Sequence, residues 1–237
     1  MLIKENLSDK LAGIIGTKII HNELKSGEII YETQIAKEWG VSRSPVRDAL
    51  RMLEQNRLVE RDSRGNYRVT QFSPASIQNY YETIDILFQY AFAKAAKNAN
   101  KDILNILKNA LEKMENSLKE TDIELYLEGV FQFARVILKT SGNPIVEQMA
   151  ITLMPNAQRV QWTSLTHNPE NLKEVIWYVR QSYENITNKN PLEAAKNFSA
   201  FALIHVKAAT DSLEAEYRQS PSKTNSALKK PTENRPG

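Results

Sequence analysis

Seven arginines fall within 26 residues: Arg43, Arg47, Arg51, Arg57, Arg61, Arg64 and Arg68. Arg presents a planar fork of donors that fits a phosphate or the acceptor edge of guanine. Arg43, Arg47 and Arg51 stand four residues apart, which puts three guanidinium groups on one face of a helix. Val46, Ala49, Leu50 and Leu53 fall on the other face. Ser44 and the free backbone N–H groups at the start of such a helix suit a phosphate oxygen. Asp48 and Glu54 also allow a plainer reading, a solvated Arg face laced by local ion pairs. Placement in the fold must decide between the two.

Other chemistries find little support. The chain has 237 residues and no Cys, which excludes disulfides, thiolate metal sites and a cysteine nucleophile. Its three histidines, His21, His167 and His205, are too far apart to form a His pair on one helix. No acid/base pair, nucleophile–base set or Gly-rich phosphate loop stands at a meaningful spacing, so an enzyme is not expected. No apolar run is long enough to span a membrane, and residues 1–6 lack the pattern of a signal peptide. A cytoplasmic protein is the default expectation.

The net charge of +3 is an average over unlike segments. Residues 1–70 carry +2, residues 71–217 carry −3 and residues 218–237 carry +4. A small basic unit, a mildly acidic middle and a basic tail are implied.

The elements that must position the arginines follow from periodicity. Leu7, Leu11, Ile14, Ile15, Ile19 and Ile20 predict an amphipathic helix over 7–24. A short helix from Glu32 to Trp39 comes next, then a turn at Gly40-Val41-Ser42, then a helix capped by Ser44 with Pro45 at its first position. After Asn56 the period changes to alternation. Residues 58–61 and 67–70 read as two strands joined by a turn at 62–66. Helix, helix–turn–helix and hairpin make a winged helix-turn-helix.

From residue 74 onward every segment reads as helix: 74–99, 101–119, 122–141, 144–167, 169–188 and 191–217. Ser73-Pro74, Asn143-Pro144, Asn168-Pro169 and Asn190-Pro191 each set a capping side chain before Pro. Pro155 should kink or split the fourth helix. The expected architecture is mainly α. A winged helix-turn-helix over 1–72 precedes an all-α bundle over 73–217, and a disordered polar tail covers 218–237.

The stretch from Glu32 to Val69 resembles the winged helix-turn-helix of GntR-type bacterial regulators. Ser42-Arg43-Ser44-Pro45-Val46-Arg47, then Ala49-Leu50, Leu53 and Leu58-Val59 carry the likeness. Asn56-Arg57-Leu58-Val59 departs only in lacking the Gly of a Gly-Leu-Val. The resemblance implies that Arg43, Ser44 and Arg47 contact operator DNA and that the wing Gly65 approaches the minor groove. Some members also use an Arg early in the second helix, where this chain has Thr33. Arg51 and Arg64 are added on physical grounds, as cations on the same helix face and at the wing tip.

The remainder resembles the FadR-type subfamily, whose helical C-terminal domain binds a small effector. Phe133 ahead of Thr140-Ser141-Gly142-Asn143-Pro144, and Leu192-Glu193-Ala194-Ala195, carry that likeness. Many members hold a divalent metal. Their ligand positions fall here on Val130, Ala134, Arg180 and Ala202, so neither a metal nor another cofactor is expected. An Arg that grips the effector falls near Ile84, and an acidic neighbour falls on Phe88. His205 lies three residues past Ala202, so a slipped register would restore one ligand and not four. His167 and His205 read as capping or partly buried histidines. Ile84, Phe88, Val130, Ala134 and Ala202 then describe either an apolar pocket, for an acyl chain for example, or a cavity collapsed into core. Arg180 could pair with an anionic head group or lie on the surface. Trp162, Trp177 and Tyr178 could line a cavity, but aromatics at helix spacing are expected to pack in the core.

The resulting expectation is a homodimeric, DNA-binding transcriptional regulator on a pseudo-palindromic operator, modulated by a small-molecule effector. The alternative is an effector-independent regulator whose helical domain serves only dimerisation.

Overall fold

The computed structural model describes residues 6–219, with side chains described to residue 215. Twelve elements run along them in chain order. They are α1 (Leu7–Ile20), β1 (Ile29–Ile30), α2 (Glu32–Glu38), α3 (Arg43–Gln55), β2 (Val59–Arg61), β3 (Tyr67–Val69), α4 (Pro74–Asn98), α5 (Lys101–Ser117), α6 (Ile123–Thr140), α7 (Pro144–His167), α8 (Asn171–Thr187) and α9 (Pro191–Gln219).

The first six elements share one core, in which Leu11, Ile15 and Ile19 of α1 meet Val46, Leu50 and Leu53 of α3, with Tyr67 and Val69 below. α1 ends at Ile20, four residues short of the expected 24, because Asn22 takes a left-handed backbone, φ 59°. The sheet has a third strand that periodicity missed. β1 is two residues long, and β3 lies between it and β2, both pairings antiparallel with Arg68 opposite Ile29 and Glu60. Two residues are too few to show alternation.

Ser42, not Ser44, holds the N-cap of α3, so Pro45 is the third helical residue and not the first. Arg43 and Ser44 thereby lie inside the first turn. Ser42 makes no side-chain cap. The first-turn N–H groups therefore lack a side-chain acceptor.

The end of α3 explains the departure at Arg57. The N–H of Leu58 bonds the Leu53 carbonyl at 2.9 Å and the N–H of Arg57 bonds that of Glu54 at 3.0 Å. This is a Schellman close, with buried Leu53 and Leu58 in the accompanying positions. Its pivot is Arg57 at φ 57°, where a side chain is strained and Gly is not. Arg57→Gly is therefore expected to stabilise the chain by about 1 kcal/mol. A rise in the urea midpoint with an unchanged m-value would show it.

Helices α4 to α9 enclose a second core. α4 and α7 run antiparallel, since Tyr80 reaches the Leu153 carbonyl and Tyr90 lies 3.5 Å from the Asn143 amide. α7 continues through Pro155 as one helix. α8 starts later than expected: its N-cap is Glu170 without a side-chain bond, and Asn168 instead closes α7. α9 extends to Gln219, so residues 218 and 219 of the expected tail are helical; the rest of that tail, 220–237, lies outside the described residues.

Gly129 allows α5 and α6 a close approach. A Cβ there would meet Met114 Cγ at 2.6 Å and the Ala110 carbonyl oxygen at 2.8 Å. The backbone atom cannot swing aside, so Gly129→Ala must part α5 from α6. The expected cost is about 1–3 kcal/mol, read as a drop in the denaturation midpoint.

α7 also carries the joint between the two cores. Asn156 Nδ2 donates to the Arg57 carbonyl at 2.8 Å, and Arg159 Nη1 donates to that of Thr70 at 2.7 Å. Trp162 stacks on His21 at 4.0 Å between ring centres, tilted by 17°. Both carbonyls stand at the roots of the wing, one before β2 and one after β3.

Candidate nucleic-acid interface

Three structural devices gather the arginines. Gly40 at φ 65° and the bond from the Val41 N–H to the Ala36 carbonyl close α2 and turn the chain into α3. The buried face of α3, Val46, Ala49, Leu50 and Leu53, fixes its roll and leaves Arg43, Ser44, Arg47 and Arg51 exposed. The wing turn is tied by Asp62, whose carboxylate accepts from the N–H groups of Arg64 at 2.8 Å and Asn66 at 2.9 Å. Those bonds, led by Asn66, hold its carboxyl below the usual range. Gly65 takes φ 82° at the tip, with open space where a Cβ would stand. Arg64 beside it is exposed.

The result is a cleft of about 490 Å³ between the start of α3 and the wing. Its walls include Arg43, Arg47, Arg51, Arg61 and Gly65. Ser44 and Arg64 are not among its lining residues; they flank it on the first turn of α3 and at the wing tip. Two further residues belong here that sequence reasoning did not single out. Glu32, at the start of α2, accepts from Arg43 Nη2 at 3.1 Å and Arg47 Nε at 3.4 Å. Arg61 lies 4.3 Å from the centre of the Tyr67 ring and pairs with Glu54 at 3.4 Å. Arg61 was visible in the arginine run, and Glu32 only as an acid opening the preceding helix. Thr33 lines the same cleft and offers a hydroxyl where a cation would add charge.

The bundle holds a second site. A cavity of about 40 Å³ has Ile84, Phe88, Val130 and Ala134 in its wall, with Tyr81, Gln161 and Ser182 as its polar lining. Two expected members are elsewhere. Arg180 lies on the outer face of α8, paired with Glu115, and Ala202 is buried without reaching the cavity. Trp177 is half exposed on the surface, not a core aromatic, while Trp162 and Tyr178 are partly buried.

A buried polar chain lies against this cavity. Tyr126 Oη donates to Gln161 Oε1 at 3.3 Å and lies 3.4 Å from His205 Nε2; His205 Nδ1 lies 3.2 Å from Ser164 Oγ. The tyrosine proton is used on Gln161, so the network assigns the histidine proton to Nε2. His205 is fully buried, not partly as expected, and His167 is an exposed residue closing α7. The Tyr81 hydroxyl is buried without a hydrogen-bond partner. Burial pushes its phenol well up, and the neighbouring Tyr80 adds to that.

Burial lowers the His205 pKa to about 3. The unfolded chain, with a His pKa near ~6.5, binds the proton first as pH falls. Stability held above that value is therefore lost between about pH 6.5 and 3. His205→Gln should flatten this limb of the urea-midpoint profile.

The positions where many FadR-type members carry metal ligands do not fit a metal here. Val130 and Ala134 offer only hydrocarbon, Ala202 a methyl and Arg180 a cation, none of which donates an electron pair to a metal ion. Among the described residues no group of three or more His, Asp or Glu converges.

Two family models divide the chain. Residues 7–69 match "Bacterial regulatory proteins, gntR family" and residues 79–200 match the FCD domain. The chain belongs to the GntR family of bacterial regulatory proteins. It joins a GntR-type unit to an FCD domain. This GntR regulator is 36% identical over 109 residues to the uncharacterized HTH-type transcriptional regulator YdhC of Bacillus subtilis, covering 44% of this chain and 49% of that one. It is 25% identical over 154 residues to the gluconate operon transcriptional repressor of the same organism, covering 65% and 63%. The alignments thus span about half and under two thirds of those relatives. Among solved structures, E. coli McbR/YncC superposes with a TM-score of 0.70 at 19% identity, over 90% of this chain and 98% of that one. That likeness establishes the shared fold. No helix among the described residues is long and apolar enough to cross a membrane.

Proposed function

We propose that this regulator acts as a homodimer on a pseudo-palindromic operator, one protomer per half-site, with the unit over 1–72 reading DNA and the helical domain binding a small-molecule effector. The arginine-lined cleft carries the proposal. Arg43, Ser44 and Arg47 on the first turns of α3 reach base edges and phosphates in the major groove, Arg51 follows along the backbone, and Arg64-Gly65 enters the adjacent minor groove.

A second copy of the chain is supported by exposed apolar side chains on α4 and α7. Ile86 is 71% exposed, Ile145 63% and Met149 52%. The antiparallel contacts of Tyr80 with Leu153 and Tyr90 with Asn143 place Ile86 nearly level with Met149 along the two helices. Light scattering of the full chain should give twice the 27.0 kDa of one chain. Ile86→Glu with Met149→Glu should give a monomer that binds operator far more weakly. A wild-type monomer would contradict the symmetric reading.

Control by an effector is supported by the position of α7. Met154, Ala157 and Gln161 line the bundle cavity, while Asn156 and Arg159 between them hold the wing roots. A ligand that favoured one placement of α7 would shift the wing. The cavity as it stands favours the second reading, since about 40 Å³ is far below the ~300 Å³ of an ordinary ligand pocket. In that reading the bundle serves dimerisation alone. Native mass spectrometry separates the two: a retained small molecule supports the effector, and a bare dimer whose operator affinity ignores cell extract supports the alternative.

A further inference from the structure

Arg159 is a buried cation that sequence reasoning left without a role. It is 4% exposed, and no ion pair joins it to an acid among the described residues. Burial lowers its pKa to about 10, with no opposing charge to hold it up. One of its five N–H donors serves the Thr70 carbonyl, and its guanidinium carbon lies 4.9 Å from the centre of the Phe72 ring. A buried charge with so little compensation is costly.

This side chain borders a cavity of about 40 Å³ between the DNA-binding unit and the bundle, apart from the one beside Tyr81. Asn22 and Ser26, which follow α1, line one side; Thr163 of α7 lines another. All three are neutral hydrogen-bonding groups, and Phe72, Ile77, Val160, Ala209 and Leu213 make up the apolar remainder. The space equals about three waters at roughly 10–15 Å³ each, the size of a carboxylate or phosphate group.

We propose that this interdomain cavity binds a small oxyanion, paired with Arg159 and hydrogen-bonded by Asn22, Ser26 and Thr163. The anion supplies the missing countercharge, and the guanidinium fork suits two of its oxygens. Because Arg159 also holds Thr70 at the root of the wing, occupancy bears on the placement of the wing. Operator binding and anion binding are then linked reciprocally. The proposal does not depend on an effector in the bundle cavity.

Thermal denaturation of the full chain tests it, in sodium phosphate and in sodium acetate, each against sodium chloride at equal ionic strength. The expected result is a concentration-dependent rise in Tm of about 5 °C at anion concentrations far above Kd. A rise in both salts identifies any small oxyanion as the ligand, and a rise in one selects phosphate or carboxylate. Arg47→Ala should retain the rise, which separates this site from the DNA face. Arg159→Gln should abolish it. Ser26→Glu, which brings a carboxylate into the cavity, should raise Tm without added anion and no longer respond. The proposal is overturned by no rise beyond chloride in either salt, by a rise lost in Arg47→Ala, or by one that persists in Arg159→Gln or Ser26→Glu.

Discussion

Arg47→Ala weakens binding to the specific operator by about 1–3 kcal/mol, roughly a 5- to 150-fold rise in Kd. The side chain stands one turn into α3, is 45% exposed, and is held by Glu32 at 3.4 Å in the absence of DNA. A guanidinium so placed loses little freedom when it meets a base edge. Arg47→Lys should not restore affinity, because an ammonium lacks the fork that matches guanine. A base contact and a phosphate contact leave different marks. Loss of a base contact relaxes specificity with little change in salt dependence, whereas loss of a phosphate contact lowers the slope of log K against log salt by about 0.9 and weakens all sequences alike. Arg47 is expected to behave in the first way and Arg51, farther along the helix, in the second. Equal losses on operator and on unrelated duplex would remove Arg47 from base reading.

Phe88→Ala costs about 3–5 kcal/mol of stability. Phe88 is 4% exposed and lies stacked on Phe198, 4.7 Å between ring centres and 16° apart, with Phe92 at 6.3 Å. Its removal enlarges a cavity whose walls are ring systems on α4, α6 and α9, and these cannot all collapse inward. Chemical denaturation of the ligand-free protein measures the loss. A cost below about 1 kcal/mol would mean that Phe88 borders an open pocket in solution rather than a filled core, which bears directly on whether an effector enters the bundle.

The DNA-reading unit was legible in the sequence for a physical reason. Val46, Ala49, Leu50 and Leu53 must face inward, so the arginines between them must face outward, and a two-residue shift of the cap from Ser44 to Ser42 does not alter that. The two-residue strand β1 was not legible, because its pairing with β3 is a nonlocal contact and two residues carry no period. Ile84 and Phe88 on α4 and Val130 and Ala134 on α6, positions named from the resemblance, line one cavity. Arg180 takes the surface position that the sequence also allowed, and Ala202 is buried away from the cavity, because a helix turned by a fraction of a turn moves a side chain from a cavity to solvent or to core. Asn156 and Arg159 carried no sequence signal. A polar residue on a long helix looks solvent-facing until a second domain covers it, and here the covering groups are the carbonyls of Arg57 and Thr70, about 90 or more residues away in sequence. Arg57 shows the converse. The missing Gly was evident, and only the left-handed backbone at that position shows why Gly would fit.

The central claim is that two copies of α3, each opening with Arg43, Ser44 and Arg47, read a symmetric duplex with their wings. Selection of bound sequences from a random duplex pool by the purified full chain tests it most directly. The account predicts enrichment of an inverted repeat whose half-site centres lie about one helical turn, ~10 base pairs, or a multiple of it apart. The enrichment should disappear for Arg47→Ala. A pool without enrichment, or an enriched site with one half or a direct repeat, would contradict it.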